Sequence, residues 1–194
     1  MRIGYSIVTV SLFVILTASY AQAGTVTNYQ TQGNLEVTHA VGCKGFSELS
    51  NQYTPADLYK GLSECWAAKK YNEAAELFIL AGVYGRFDSL RVADISAHQA
   101  TSILSMEALH NLTPEQKTGI MSAMQQHLTK DTPQLLETCN TVRHIGMPDY
   151  HPSYMIQHGM KAFSGKQPND GLVVPFDAKG AWEQSLYSYL HCPK

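Results

Sequence analysis

The chain has 194 residues, of which 14 are basic and 16 acidic, so its formal net charge is −2 at pH 7. The basic residues are scattered along the sequence, and this pattern excludes the clustered basic face that a nucleic-acid-binding protein needs. A chain of this length suffices for one domain with a hydrophobic core of its own.

Residues 1–23 are typical of a secretory signal peptide. Arg2 supplies a positive start, residues 7–16 are apolar, and Ala21-Gln22-Ala23 forms an A-x-A cleavage site. The apolar segment has about 10 residues, whereas a helix that spans a bilayer needs about 20. We therefore expect cleavage after Ala23, export to the periplasm and no stable membrane insertion of the mature protein.

Four cysteines follow the predicted cleavage site, and an even number in an oxidising compartment predicts two disulfides. Three connectivities are open. We favour Cys43–Cys65, which would fix a polar N-terminal segment to a helix, and Cys139–Cys192, which would fix the C-terminal tail. The spacing contains no C-x-x-C motif, so it favours neither a zinc site nor a thioredoxin-like role.

Residues 24–53 are rich in Thr, Asn, Gln and Gly and lack a sustained apolar period, which predicts an irregular N-terminal arm. Residues 54–194 are predicted to form a single helical domain. Three Thr-Pro pairs indicate helix starts, because the threonine hydroxyl accepts backbone N–H bonds and proline has no N–H group to leave unbonded. These pairs are Thr54-Pro55, Thr113-Pro114 and Thr132-Pro133.

Apolar residues three or four apart predict the helices themselves. They are expected from Pro55 to Trp66 and at residues 72–84, 89–110, 114–129, 133–145 and 152–163, with a last helix that begins after Asp177. Residues 172–174 are predicted to form a short extended segment. Short connections between the helices predict an all-α fold, a compact multi-helix bundle of stacked helical hairpins.

The first two predicted helices carry a recurring pattern of apolar and small residues. It consists of Leu58 and Leu62 in the first helix and Tyr71, Ala74, Phe78 and Ala81 in the second. This pattern resembles one tetratricopeptide or Sel1-like repeat, over about residues 55–83. The resemblance implies that the small residues let the paired helices approach while the aromatic side chain fills the space between them.

The pattern also departs from that family. Lys69 stands where a turn glycine is usual, and Arg86 where a closing proline is usual. An array needs about three repeats to bury its faces, and shifting the match by its period places the Thr113-Pro114 helix start inside a helix. The resemblance therefore implies a single repeat-like hairpin, with two ordinary packed helices as the alternative.

Motifs for catalysis or cofactor binding are missing from the sequence. It contains no H-E-x-x-H, G-x-S-x-G, P-loop or dinucleotide-binding motif, and we predict no catalytic residue and no cofactor. His144, His151 and His158 recur at regular intervals, but Gly146 and Pro148 interrupt the helix between the first two. We therefore expect helix caps and surface groups instead of metal ligands.

The C-terminal third is rich in aromatic residues and methionine, which are typical of recognition surfaces. By their spacing, most of these residues belong to the core. Tyr150, Tyr154 and Tyr187 fall outside the apolar faces, so we predict that they contact a protein partner. The polar segment 164–171 is expected to form an exposed loop beside them.

These features predict a periplasmic, non-enzymatic binding protein whose partner is another protein. Its most concrete form is an immunity protein that neutralises a secreted toxic effector, by analogy with helical protectors of this size. One alternative is a cell-envelope hydrolase acting on peptidoglycan or lipid, which predicts a deep pocket with a Glu or Asp beside a His. Another is a periplasmic adaptor or scaffold that uses the repeat-like hairpin.

Overall fold

The structure, a computed structural model, describes residues 31–165 and 167–193. The predicted signal peptide and the first part of the N-terminal arm lie outside the described residues. This part of the chain contains eight α-helices: α1 (Pro55–Ala67), α2 (Tyr71–Arg91), α3 (Ala100–Leu109), α4 (Pro114–Leu128), α5 (Pro133–Ile145), α6 (Ser153–Ile156), α7 (Met160–Ser164) and α8 (Ala178–Ser185). None of these helices is long and apolar enough to cross a membrane. The predicted all-α class is confirmed.

The three Thr-Pro pairs begin α1, α4 and α5 as predicted. The hydroxyl oxygens of Thr54, Thr113 and Thr132 each accept a hydrogen bond from a backbone N–H three residues later, at 3.2 Å. Each such cap stabilises a helix by about 1 kcal/mol. Asp177 caps α8 in the same way, through the backbone N–H of Gly180 at 3.0 Å.

The second helix forms the centre of the bundle. Leu77, Ile79, Leu80 and Val83 point in different directions around its axis, and all are fully buried. Residues 77–85 of α2 are apolar on every side, and such a helical segment is stable only inside a protein; α2 accordingly contacts α1, α4 and α8. The sequence predicts its end at residue 84, whereas the helix continues to Arg91.

The predicted helix over residues 89–110 is wrong in its first half. The chain leaves the helical path at Val92, and the neighbouring backbone groups bond elsewhere: Ala93 donates its N–H to Gly171 and Arg91 accepts the N–H of Val173. An antiparallel bridge between Val92 and Leu172 accompanies these bonds, which confirms a short extended segment there. Ile95–Gln99 then form a 3₁₀ turn before α3.

The predicted helix over residues 152–163 is likewise divided, into α6 and α7. Gly159 is extended between them and lies against Asp94, whose Oδ2 accepts the backbone N–H of Lys161 at 2.8 Å. Partial burial would raise the pKa of Asp94. Hydrogen bonds from the Lys161 backbone and from Ser96 nevertheless hold that pKa below its ordinary value.

Both favoured disulfides are present, Cys43–Cys65 and Cys139–Cys192. The first fixes the N-terminal arm to α1, and the described part of that arm is irregular except for a 3₁₀ turn, Phe46–Glu48. Asp57 holds the same arm, because its buried carboxylate accepts the backbone N–H groups of Thr38 and His39. One carboxylate thus serves both the cap of α1 and the arm.

The first two helices pack as a hairpin. Ala74 and Ala81 are fully buried on α2, and Phe78 packs edge-to-face on Tyr59 of α1 with ring centroids 5.8 Å apart. This packing agrees with what the tetratricopeptide resemblance implies. Two ordinary packed helices would pack in the same way, so membership of that repeat family stays a prediction.

Candidate functional site

A cleft of about 610 Å³ opens where four parts of the chain meet. The turn Phe46–Glu48 forms one wall, the first turns of α2 form the floor, and α4 and α5 close the other side. The disulfide Cys43–Cys65 lies directly before this turn in the chain and fixes it over α2. We call this cavity the acidic cleft.

Four carboxylates and one imidazole line the acidic cleft, and no lysine or arginine does. The residues are Glu48, Glu73, Glu76, Glu137 and His127. Within residues 31–165 and 167–193, Glu48, Glu73 and Glu137 take part in no ion pair. Carboxylates gathered in a concave site produce a negative potential that attracts cations.

Glu76 is the carboxylate of the cleft that is held by two hydrogen bonds. Its Oε2 accepts the backbone N–H of Phe46 at 2.7 Å, and its Oε1 accepts the side-chain N–H of Asn72 at 2.8 Å. A Cβ atom at residue 45 would lie 2.8 Å from Oε2, so a larger residue there would displace this carboxylate. Glu76 therefore fixes the wall of the cleft to its floor.

His127 lies beside this carboxylate, with its Nε2 3.7 Å from Glu76 Oε1. The same Nε2 is 3.0 Å from Asn72 Oδ1, and Nδ1 is 3.1 Å from the hydroxyl of Thr138. Because the Asn72 amide N–H group donates to Glu76, its Oδ1 accepts from Nε2–H, and the Thr138 hydroxyl donates to Nδ1. Both ring nitrogens are thus bonded to protein groups.

A second polar cluster surrounds Asp88, which is fully buried in α2. Arg91 pairs with Asp88 Oδ1, its Nη2 at 2.7 Å, and the hydroxyls of Tyr150 and Tyr154 donate to Oδ2 at 3.0 and 2.8 Å. Burial raises the pKa of the Asp88 carboxyl, and Arg91 and the two hydroxyls act in the opposite direction. The guanidinium also lies 5.0 Å from the Tyr150 ring centroid and 5.1 Å from that of Phe87.

The structure brings only one of the three predicted contact tyrosines clearly to the surface. Tyr154 is 2% exposed, so its predicted surface position is wrong; the buried charge of Asp88 explains why a tyrosine lies there. Tyr150 is partly buried, with its hydroxyl on the same carboxylate. Tyr187 is 56% exposed, and its role in partner binding stays a prediction.

The three histidines singled out in the sequence do not converge. His144 is exposed on α5, His151 bonds to Ser153 and to the backbone of Asp170, and His158 bonds to Asn34. In the part of the chain that the structure describes, no three His, Cys, Asp or Glu side chains are placed to hold a metal ion.

No motif in the sequence singles out Glu73, Glu76 or His127 as residues of one site. Asn72, Glu73 and Glu76 follow the start of α2, where such residues are usual on a solvated face. The signal that leads to the cleft is the favoured Cys43–Cys65 pair, because it brings the polar arm over this face. The residues that α4 and α5 add to the cleft, such as His127 and Glu137, are brought there by tertiary packing, and no local sequence pattern predicts this.

No protein-family model, curated protein or solved structure matches this chain.

Proposed function

We propose that this chain is an exported binding protein of the bacterial periplasm, and that its acidic cleft holds a positively charged segment of a protein partner. The observation that carries the proposal is the set of three carboxylates without ion-pair partners, from Glu48, Glu73 and Glu137, around one cavity. Like charges in a shared concave site repel, and a lysine or arginine of a partner would relieve that repulsion.

The internal bonding of the cleft supports binding over catalysis. Glu76 accepts hydrogen bonds from Phe46 and Asn72, and the ring nitrogens of His127 bond to Asn72 and Thr138. Both side chains therefore hold the walls of the cleft together. Glu48 and Glu137 are exposed at its rim. A rigid floor with accessible charges at the rim is an arrangement that selects a cationic partner by charge and shape.

The most specific form of the proposal is an immunity protein that neutralises a secreted toxic effector. The partner would then insert a basic segment into the acidic cleft. This form rests on analogy with other helical protectors of this size, and the acidic cleft adds the surface that such a partner would contact.

The test expresses the chain with its signal peptide beside the product of the neighbouring gene and measures co-purification and protection of the cells. Binding is then quantified for Glu73→Gln, Glu137→Gln and the double variant, at low and high salt. We expect the double variant to bind about tenfold more weakly, since each removed charge contributes up to about 1 kcal/mol. The difference in affinity between wild type and variant should be smaller at high salt, because salt screens the attraction that the wild-type carboxylates exert.

Glu107→Gln is the matched control, because Glu107 is an exposed carboxylate on α3 outside the cleft. It removes the same charge and should leave binding unchanged. A complex that is equally weakened by Glu107→Gln, or insensitive to all the variants, contradicts the assignment of the cleft. Absence of both a complex and protection removes the immunity form.

Export is proposed on a separate observation. Two disulfides among the described residues are consistent with an extracytoplasmic protein, since thiols in the cytoplasm are kept reduced. Mass spectrometry of non-reduced protein from the periplasmic fraction should show a chain that begins at Gly24 with both bridges intact. An uncut chain with four thiols in the cytosol would overturn this step.

A cell-envelope hydrolase is the second candidate, because the cleft does bring Glu76 within 3.7 Å of His127. If His127 acts as an acid or base, His127→Gln should abolish release of products from peptidoglycan or phospholipid while the fold, followed by circular dichroism, is kept. Equal product release by the variant and the wild type, or none by either, leaves the pair as a structural one.

A further inference from the structure

A second concavity, of about 280 Å³, lies between the C-terminal half of α2, α3 and the π-helical turn Leu186–Leu190 that follows α8. It shares no lining residue with the acidic cleft. Three aromatic side chains form its walls, from Tyr59, Phe78 and Tyr189. We call it the aromatic groove.

The backbone of α2 forms the floor of the aromatic groove at two glycines. A Cβ atom on Gly82 would lie 1.9 Å from the hydroxyl oxygen of Tyr189, and one on Gly85 would lie 2.4 Å from Thr101 Cγ2. Only glycine permits this approach at either position. The Tyr189 ring is therefore held against the helix while 37% of the residue stays exposed.

The charge of the aromatic groove is opposite to that of the acidic cleft. Its lining includes Arg86 and His98 and contains no aspartate or glutamate. Among the arginines of the described residues, Arg91 pairs with Asp88 and Arg143 with Glu183. Arg86 forms no ion pair with a carboxylate of the described residues, and its Nε is 3.4 Å from the Ser188 hydroxyl.

The tyrosines add no negative charge to this site. Burial of its hydroxyl raises the pKa of Tyr189 to about 12, and burial raises the pKa of Tyr59 further above its ordinary value. Both hydroxyls are neutral at physiological pH. The site thus combines an unpaired guanidinium, neutral hydroxyls and apolar ring faces.

We propose that the aromatic groove binds a small monocarboxylate with an aromatic or short aliphatic body, its carboxylate on Arg86 and its body against the accessible surfaces of Phe78 and Tyr189. Arginine suits this role because its planar guanidinium can bond both carboxylate oxygens. The cavity volume of about 280 Å³ leaves room for a ligand of the size of phenylacetate. The proposal is independent of the partner assigned to the acidic cleft.

The test titrates the mature protein with phenylacetate and with phenylacetamide, its neutral analogue of the same shape, and follows the amide signals of Gly82 and Gly85 by NMR. Phenylacetate should bind about fivefold to tenfold more tightly than the amide, as one charge-assisted pair at a partly exposed site allows. Arg86→Gln should remove that difference. Ser102→Phe, an exposed position on the lining, should fill the site and abolish binding of both probes.

Lys117→Gln is the matched control, since Lys117 is an exposed cation on α4 outside the groove. It should leave both affinities unchanged. Equal binding of the two probes to the wild type, or an unchanged preference in Arg86→Gln, overturns the role of the guanidinium. Inorganic phosphate that binds as tightly as phenylacetate overturns the role of the rings, and no shift at either glycine overturns the site.

Discussion

Removal of the Cys43–Cys65 bridge is expected to have two effects: it lowers the stability of the whole fold, and it loosens the turn that forms one wall of the acidic cleft. Cross-linking residues 22 apart restricts the unfolded chain and stabilises the protein by about 3.4 kcal/mol at 25 °C. For Cys139–Cys192, with a separation of 53, the same relation gives about 4.2 kcal/mol. The double alanine variant of either pair should therefore lower the Tm by roughly 7 to 17 °C.

The two variants should differ locally. Cys43 precedes the turn whose Phe46 N–H is bonded to Glu76, so that amide should lose most of its protection from hydrogen exchange when Cys43–Cys65 is replaced. The Cys139→Ala/Cys192→Ala variant is the control. Its free energy of unfolding should be the lower of the two, yet its Phe46 amide should still exchange only as fast as global unfolding allows. Equal protection of this amide in both variants would refute the assigned role of the first bridge.

Three further changes test the buried and capping groups. Asp88→Asn should cost about 3 kcal/mol in urea unfolding, because it leaves the Arg91 guanidinium uncompensated, and Asp88→Asn/Arg91→Met should regain part of this loss. Thr113→Ala should cost about 1 kcal/mol, while Thr118→Ala on the same helix stays within about 0.5 kcal/mol. The pKa of Asp94 is lowered in the fold, so its ionised carboxylate stabilises the folded protein above about pH 4. This stabilisation is lost as the pH falls through the folded-state pKa. The wild type should therefore have a higher Tm than Asp94→Asn at neutral pH, and the difference should vanish on acidification.

Features determined by neighbouring residues were predictable from the sequence. The Thr-Pro starts of α1, α4 and α5 are local, because the hydroxyl and the N–H group that it accepts are three residues apart. The breaks at Val92 and Gly159 are not local. They depend on bonds to Gly171 and Asp94, which are far away in the chain, and helical spacing alone continues through both.

The positions of the tyrosines show a similar limit. Tyr154 falls outside an apolar face by its spacing, yet it is buried because its hydroxyl bonds to the buried Asp88. Spacing rules assume that polar groups are hydrated at the surface, whereas the Tyr154 hydroxyl donates its hydrogen bond to a carboxylate in the core. The acidic residues Glu73 and Glu76 were visible in the sequence, but their meeting with His127 required the packing of α2 against α4.

The acids of the cleft do not support a binding role equally. Glu73 lies in the first turn of α2, where a negative charge stabilises the helix dipole, so helix stability alone accounts for it. Glu76 is accounted for by its bonds to Phe46 and Asn72. Glu137 is exposed beyond the first turn of α5 and has no such structural reason. Its neutralisation removes a charge that the fold does not use, and a loss of partner binding in Glu137→Gln at unchanged stability would therefore report on recognition alone.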